Sequence, residues 1–567
     1  MGQQIKPAVY PVAEVFARLT EPTLRLSVVV LFGAVSLVLL IGCLNIANLL
    51  LGKSMSRQKE LAVRAALGSS RTRIVRQLLT EALLLSLTGS ALGVFLAGTA
   101  IHYFRILNPI AMPPGNPITM NLTVLAFTSF LAVVTTLLFG LIPAFKASRI
   151  DLMNGLRLSA QTATFGRGAR NLRRGLVTIE VALSLALSVA AGLLIQSVQH
   201  LASVPLGFRT DHVTVAQIVL PRWTYSASEQ RASFFRRALT ESAGTSNGVL
   251  TAFASGLPPD GLGGAAVSIE GRPDPDPGDD FAGSLQVSVS PAYFTVMGEP
   301  LTLGRVFDDS DGERSQQVAV VNDSFVRKYF PQQDPIGKRI KVSGAPGSEA
   351  PWLMVVGVVA DEKRRDFFRP MSWEEPPVVF RPVIQEPPSR AFMVFRSGSA
   401  GAALARTVQK EIQSLDGNVA VGNFETMTER LSRTFAYPEF RAAILTAFAA
   451  LAMFLAAIGL YAVLSQFIAQ RTQEFGVRMA LGARKTDLLK LVLREGMALT
   501  LVGLAAGLMI TLSLAGFLRS LVYGLKTTDP WTLLAGSLLL LLVALFAMYV
   551  PALRASRVDP KIALRYE

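Results

Sequence analysis

The sequence has almost none of the side chains that metal and thiol sites require. Among 567 residues it contains one cysteine, Cys43, and three histidines, His102, His200 and His212. One cysteine excludes a disulfide within the chain, and the scattered histidines lack metal-ligand spacing. We therefore predict no bound metal and no cofactor.

Common catalytic motifs are absent as well. The sequence contains no GxxxxGK[ST], HExxH or CxxC pattern. The chain therefore cannot cradle a nucleotide through a P-loop, and residues 198–436 contain no recognisable catalytic set. We predict that the chain is not an enzyme.

Hydrophobic residues make up 51% of the chain, and the net charge is +15. The excess of basic residues is confined to four short segments beside long apolar runs: 52–76, 146–174, 469–494 and 554–567. Basic segments next to apolar runs are typical of cytoplasmic loops in membrane proteins, whereas nucleic-acid-binding proteins spread basic residues over a surface. This pattern predicts a lipid bilayer as surroundings and excludes nucleic acid as the partner.

Seven apolar stretches are long enough to cross a bilayer as helices. They are residues 25–51, 78–101, 122–145, 175–197, 441–468, 491–518 and 532–552. Because the basic segments follow spans one, three, five and seven, those segments face the cytoplasm. Residues 198–440 are then extracytoplasmic.

The predicted fold is an integral membrane α-helical protein with a large extracytoplasmic α+β domain. The stretches VTVAQIV and WLMVVGVVA favour strands, while SEQRASFFRRALTESA and GAALARTVQKEIQSL favour amphipathic helices. The predicted segments are an extracytoplasmic remnant or linker (1–24), a three-span unit (25–157), a cytoplasmic linker (158–174), span four (175–197), the α+β domain (198–436) and a second three-span unit (437–567). Since span one enters from outside, we expect the chain to lack a preceding span and domain.

The two three-span units are copies of each other in sequence. At an offset of 414, Glu60 matches Glu474 and Arg64 matches Arg478, and the match continues into the apolar helix that follows. Further pairs at this offset are Gly68 with Gly482, Glu81 with Glu495, Gly89 with Gly503, and Gly93 with Gly507. Both copies run in the same direction through the membrane, so the repeat is parallel.

Each copy has a short amphipathic cytoplasmic helix, at residues 57–68 and 471–482. Within it, Glu60 with Arg64 and Glu474 with Arg478 have the i,i+4 spacing of intrahelical ion pairs. An interfacial helix that only anchors the span explains basic charge and apolar bulk. It does not explain identical residues at identical offsets, so we favour two docking surfaces for a partner with two equivalent faces.

Small residues and prolines are repeated as well. Gly89 with Gly93, and Gly503 with Gly507, form GxxxG motifs that let helices pack closely, and we assign them to packing rather than gating. Pro143 and Pro551 are expected to kink or end their spans. Asn45 and Asn48 favour helix–helix contacts over a transport site.

Acidic residues are scarce within the spans. Glu81 and Glu495 fall near the inner interface, and Glu180 falls early in span four. The scarcity argues against a proton- or sodium-driven carrier. Glu180 nevertheless remains a candidate functional residue, because a buried ionisable group in a membrane is costly.

Taken together, these motifs resemble a known family. The stretch CLNIANLLLGKSMSRQKELAVRAALGSSRTRIVRQLLTEALLLSLTGSALG, and its second copy, resemble the FtsX-like permease domain of MacB-type ABC transporter subunits. VSPAYFTVMGEPLTLGRVF and NDSFVRKYFPQQDPIGKRI resemble the periplasmic core domain of that family. The layout resembles its duplicated-permease type, N-terminally incomplete and without a fused ATPase.

The resemblance implies a permease of the bacterial inner membrane. A separate ABC ATPase dimer would dock on coupling helices, and ATP hydrolysis there would move the periplasmic domain, with a periplasmic or outer-membrane protein as a further partner. By motif match the coupling residues would be Glu60, Arg64, Leu67, Gly68, Glu474, Arg478, Leu481 and Gly482. The alternative is a non-transporting signal transmitter that regulates an extracytoplasmic partner such as a cell-wall hydrolase. The substrate is not specified by the sequence.

Overall fold

Helices dominate the two ends of the chain and a mixed sheet dominates its middle. The computed structural model describes residues 28–49, 71–107, 120–134, 162–245, 250–260, 264–273, 283–343, 350–365, 372–396, 401–481, 484–518, 522–525 and 527–556. The chain divides into a membrane unit, residues 1–199 with 438–567, and a sheet unit, residues 200–437.

The helices of the membrane unit follow the predicted apolar runs. They are α1 (Val28–Leu49), α2 (Arg71–Leu107), α3 (Leu122–Val134), α4 (Thr162–Ser203), α9 (Met427–Gln470), α10 (Thr472–Ala480), α11 (Lys485–Leu518) and α12 (Pro530–Ser556). Among the described residues, six of these helices are long and apolar enough to cross a membrane. The third predicted span, 122–145, is described only to Val134, so a total of seven spans stays a prediction.

Helix α4 is buried on several sides. Val177, Val181, Leu185 and Val189 pack in one cluster with residues of α9, α10, α11 and α12. Leu183, Leu187 and Leu194 pack in a second cluster with residues of α1 and α9. A helix that is apolar nearly all round is expected to occupy the interior of a bundle. Helix α4 therefore lies at the centre of the membrane unit, in contact with α1, α9, α10, α11 and α12.

The two GxxxG motifs have different surroundings. A methyl group at Gly503 would lie 2.6 Å from Val181 Cγ1, and one at Gly507 would lie 2.8 Å from the Ala182 carbonyl oxygen. A methyl group at Gly89 or Gly93 would meet no atom within 4 Å among the described residues. The packing role predicted for both motifs is thus seen at α11 against α4, while at α2 it stays a prediction.

Of the two alternatives predicted for the prolines, ending the span does not apply to Pro551. This residue is buried inside α12, which continues to Ser556, so a kink at Pro551 stays a prediction. Its apolar ring is packed with the bundle rather than placed at a terminus. Pro143 lies outside the described residues.

The described residues of the sheet unit form thirteen strands, four helices and the start of a fifth. The strands are β1 (Val213–Val219), β2 (Leu250–Ala254), β3 (Ala266–Ile269), β4 (Leu285–Val289), β5 (Leu301–Gly304), β6 (Val318–Asn322), β7 (Arg339–Ser343), β8 (Trp352–Val359), β9 (Arg364–Arg365), β10 (Trp373–Glu374), β11 (Val378–Pro382), β12 (Arg390–Arg396) and β13 (Ala420–Thr426). The helices are α5 (Ser228–Thr245), α6 (Tyr293–Met297), α7 (Asp323–Tyr329), α8 (Gly401–Leu415) and the start of α9. The strands and helices predicted from sequence for this region are confirmed.

One large sheet carries the core. Its strand order is β13-β1-β12-β2-β4-β11-β6-β8-β7-β3, with β5 paired to β8, and a separate hairpin joins β9 and β10. Most neighbours are antiparallel, whereas β4 with β11 and β6 with β8 are parallel. Helices α5 and α8 cover one apolar cluster and α7 covers another, which is the segregated arrangement of an α+β domain.

The unequal packing of the two GxxxG motifs predicts unequal mutational effects. Gly503→Leu should lower the thermal unfolding midpoint of the detergent-solubilised chain, because the new side chain overlaps Val181; overpacking costs about 1–3 kcal/mol. Gly89→Leu is the matched control from the other repeat and should leave the midpoint nearly unchanged. Equal losses in both variants would contradict the packing described here.

Candidate functional site

Helix α10 is a separate short helix at the end of α9. Helix α9 ends at Gln470, and Arg471 between them has φ −115° and ψ 14°, which is not helical. The Arg471 N–H donates to the Ile468 carbonyl at 3.0 Å and so closes the end of α9. The chain therefore changes direction at Arg471, and α10 is free to lie at an angle to the span.

One face of α10 is inserted into the bundle. Phe475 is fully buried, and its ring centroid lies 6.5 Å from that of Phe467 on α9. It belongs to the same apolar cluster as Leu488 and Val492 of α11. Displacing α10 would therefore push directly on two long helices.

The opposite face of α10 is exposed. Val477 is 42% exposed, and Leu481, just beyond the helix end, is 82% exposed. An exposed leucine beside Arg478 gives this end of the unit a small apolar and basic surface.

Glu474 and Arg478 form the intrahelical pair that their spacing predicts. Arg478 Nη2 donates to Glu474 Oε1 at 2.6 Å, and Arg471 Nε lies 3.6 Å from Glu474 Oε2. Both side chains of the first pair are about half exposed, so the pair contributes about 0.3–0.5 kcal/mol at most. Such a weak contribution leaves Arg478 available to a partner at little cost to the helix.

The matching residues of the first copy are not described. Glu60, Arg64, Leu67 and Gly68 lie outside the described residues, as does Gly482 of the second copy. Their roles stay predictions from the repeat.

A buried polar cluster joins α1, α4 and α9. Glu180 of α4 is fully buried, and Asn45 Nδ2 donates both to its Oε1 and, at 2.9 Å, to the Leu455 carbonyl of α9. One turn further along α4, Ser184 Oγ donates to the Ala452 carbonyl at 3.0 Å. Polar contacts of this kind hold transmembrane helices together in a fixed register.

Gly459 makes this cluster possible. A methyl group there would collide with Glu180 Oε2 and lie 2.8 Å from Asn45 Oδ1. At the repeat offset of 414, Gly459 is the counterpart of Asn45 itself. The first copy thus supplies the Asn45 amide, and the second copy supplies the glycine that leaves room for it. The alignment pairs the two residues, but their contact is visible only in the structure.

The remaining acids lie near basic residues or helix surfaces. Glu495 of α11 is paired with Arg174 of α4, and Glu81 is half-buried on α2. The neighbouring Arg173 donates through Nη2 to the Asn48 carbonyl at 3.0 Å. Basic residues of α4 therefore tie its cytoplasmic half to α1 and α11.

Within the described part of the chain, no three His, Cys, Asp or Glu residues are placed to hold a metal ion. Cys43 is a buried free thiol on α1. The chemistry available in the membrane unit is packing, hydrogen bonding and charge pairing.

Two protein-family models match the chain. The FtsX-like permease C-terminal model matches residues 32–152 and 446–560, and the MacB-like periplasmic core domain model matches residues 175–411. Together these matches account for about four fifths of the chain.

Curated relatives match over a shorter stretch. The chain is 24% identical over 297 residues to the macrolide export ATP-binding/permease protein MacB of Mannheimia succiniciproducens, covering 51% of this chain and 44% of that protein. It is 27% identical over 294 residues to the protein of the same name from Rhodospirillum rubrum, covering 49% and 42%. The match spans less than half the length of these relatives.

Among solved structures, the periplasmic region of MacB from Actinobacillus actinomycetemcomitans is similar to part of the chain. The sequence identity is 16%, the TM-score is 0.27, and the match covers 41% of this chain and 96% of that one.

The polar cluster predicts a specific rescue. Gly459→Ala should destabilise the solubilised chain by about 1–3 kcal/mol, because the added methyl group meets the Glu180 carboxyl. Combining it with Glu180→Ala removes that obstacle, so the double variant should lose less than the sum of the single losses. Thermal unfolding of the four proteins measures this coupling.

Gly42→Ala on α1 is the control, since a methyl group there meets no atom within 4 Å among the described residues. Strictly additive losses for Gly459→Ala and Glu180→Ala would show that the two residues do not meet.

Proposed function

The chain belongs to the MacB/FtsX-like ABC transporter permease family, and from this premise we propose that it is the transmembrane subunit of an ABC-type export or mechanotransmission complex. It is a multi-pass protein of the inner membrane with a large periplasmic domain. In the proposed complex, a separate ATPase subunit hydrolyses ATP, and the permease passes the resulting motion to its periplasmic domain.

The exposed face of α10 is the observation that carries the proposal. This face offers Leu481 and Arg478 outward while Phe475 is held in the bundle. Reversible partners favour an apolar anchor flanked by charge, because the anchor excludes water while the charge fixes orientation. The sequence repeat predicts a second such face at residues 57–68, and an ATPase dimer would offer two equivalent grooves.

Close packing supplies a route for the motion. Phe475 shares a cluster with Val177 of α4, Leu464 of α9 and Met548 of α12. Protein interiors are as dense as organic crystals, so a displaced helix moves its neighbours rather than compressing them. A shift of α10 is therefore expected to move the bundle helices together.

Helix α9 extends the route along a single element. Its 44 residues, Met427 to Gln470, correspond to a length of about 66 Å, whereas the hydrocarbon core of a bilayer is about 30 Å thick. It includes residues of both units of the chain. This helix, which contains Pro438, is therefore our candidate to carry movement from α10 toward the periplasmic domain.

Charge reversal on α10 tests the docking role. The chain is co-expressed with the ABC ATPase subunits of its source cell, and co-purification and ATP hydrolysis in liposomes are measured. Arg478→Glu should weaken capture about tenfold and lower the stimulated ATP hydrolysis accordingly, because a docked charge is replaced by its opposite. Arg64→Glu should act in the same direction.

A charge swap separates docking from bracing. The double variant Glu474→Arg/Arg478→Glu restores the intrahelical pair but leaves the surface charges exchanged. If Arg478 docks a partner, the swap stays defective. Full recovery of ATPase capture by the swap would show that Arg478 only braces α10, and capture that ignores all these changes would overturn the proposed docking face.

A further inference from the structure

Four polar side chains are buried together in the sheet unit. They are Tyr293 of α6, Glu299 just after it, Glu362 after β8, and Arg364 of β9, and each is at most 5% exposed. Arg364 donates through Nε and Nη2 to Glu362 Oε1, and through Nη1 to the Asp260 carbonyl at 2.7 Å. We call these four residues the root cluster.

The charges of the root cluster do not balance when both carboxyls are ionised. One guanidinium stands against two carboxylates, and its donors are directed to Glu362 and Asp260 rather than to Glu299. Both Glu299 oxygens, Glu362 Oε2 and the Tyr293 hydroxyl make no hydrogen bond of ordinary geometry within the described residues. Two adjacent buried carboxylates repel each other, so one of them favours the neutral acid.

The surroundings of Glu299 favour its neutral acid. Burial, and next the neighbouring Glu362 carboxyl, raise the pKa of Glu299 well above its ordinary value. Burial and the two glutamates also raise the pKa of Tyr293, so its hydroxyl stays protonated. Arg364 opposes these effects at Glu299 but is already paired with Glu362.

The segments that carry the root cluster also hold the chain where it leaves α4. Lys363 N–H donates to the Leu206 carbonyl at 2.8 Å, and Arg209 N–H donates to the Met297 carbonyl at 2.7 Å. Trp373 Nε1 of the β9–β10 hairpin donates to the Leu201 carbonyl at 2.9 Å. Lys363 and Met297 lie within two residues of cluster members along the chain. Trp373 lies on β10, the strand that pairs with β9.

Two glycines allow residues 201–209 to contact the segments that carry the root cluster closely. Gly207, with φ +81°, packs on the Asp361 carbonyl, where any side chain would collide. Gly298, with φ +72°, ends α6 in the left-handed conformation and lies under the side chain of Arg209. Residues 201–209 thus pack against the backbone of residues 293–299 and against the backbone beside Glu362.

The same cluster reaches the start of α9. Asp260, whose carbonyl accepts from Arg364, pairs through its carboxylate with Arg430 at 2.5 Å. Arg430 also pairs with Glu425 at 2.9 Å, and its guanidinium lies over the ring of Phe392. Asp260 therefore links the root cluster to the start of α9.

We propose that the root cluster is a buried proton-binding site, in which a proton on Glu299 keeps residues 201–209 fixed against the rest of the sheet unit. Loss of that proton leaves two facing carboxylates and loosens the grip. This inference is independent of the ATPase proposal, since it concerns only the sheet unit's own residues.

The sign of the pH effect follows from the raised pKa of Glu299. The stabilising effect of the proton is complete below the ordinary pKa of about 4.5 and is lost as pH rises toward and through the raised value. In that window the local closing equilibrium weakens by up to about tenfold per pH unit.

Hydrogen exchange of the full chain in detergent measures this directly. After correction for the intrinsic rate, protection of residues 204–209 in the wild type should fall as pH rises from about 5.5 to 8.5. Glu299→Gln mimics the protonated acid and should remove this dependence. Glu270→Gln, in an exposed ion pair with Arg339, is the control and should keep it.

Infrared spectroscopy gives a second readout. A pH jump on the wild type should diminish a protonated-carboxyl band, and this loss should be smaller in Glu299→Gln. A wild type with neither a pH-dependent protection of residues 204–209 nor a protonated-carboxyl band would overturn the proposal. A Glu299→Gln variant that keeps the wild-type pH dependence would overturn it equally.

Discussion

The burial of α4 among its neighbours is the constraint on which the membrane unit depends. In lipid, apolar side chains gain little by leaving the solvent, so helices associate through close backbone contact and polar groups. Each neighbour meets α4 in one of these ways: α11 through Gly503 and Gly507, α9 through Gly459, and α1 through the Asn45 amide. A larger residue in place of any of these three glycines would collide with a neighbouring helix. Loss of the Asn45 amide would leave the buried Glu180 carboxyl without its donor.

Because α4 stands outside the repeat, it gives two similar sequences different surroundings. The second copy packs its GxxxG face on α4, while the matching face of the first copy meets no described residue within 4 Å. At the equivalent position of the first helix, one copy carries Asn45 and the other Gly459. The two copies therefore differ at a position where they meet each other.

Much of this architecture is predictable from the sequence, because apolar length, basic flanks and β-branched runs are local signals. They place the long helices, β1, β8, α5 and α8 correctly. Contacts between distant segments are not local: the collision at Gly459 depends on the crossing of α4 and α9, and the exposure of Leu481 depends on where α10 ends. The root cluster combines two distant stretches, residues 293–299 and residues 362–364, and neither stretch indicates a cluster by itself.

The polar contacts also restrict how the bundle can move. Sliding α4 past α9 by one turn would take Glu180 from Asn45 and Ser184 from its carbonyl on α9, and each buried polar group left unpaired costs about 1–3 kcal/mol. Tilting α4, α9 and α1 together costs none of these bonds. A force applied at α10 therefore favours movement of these helices as one body.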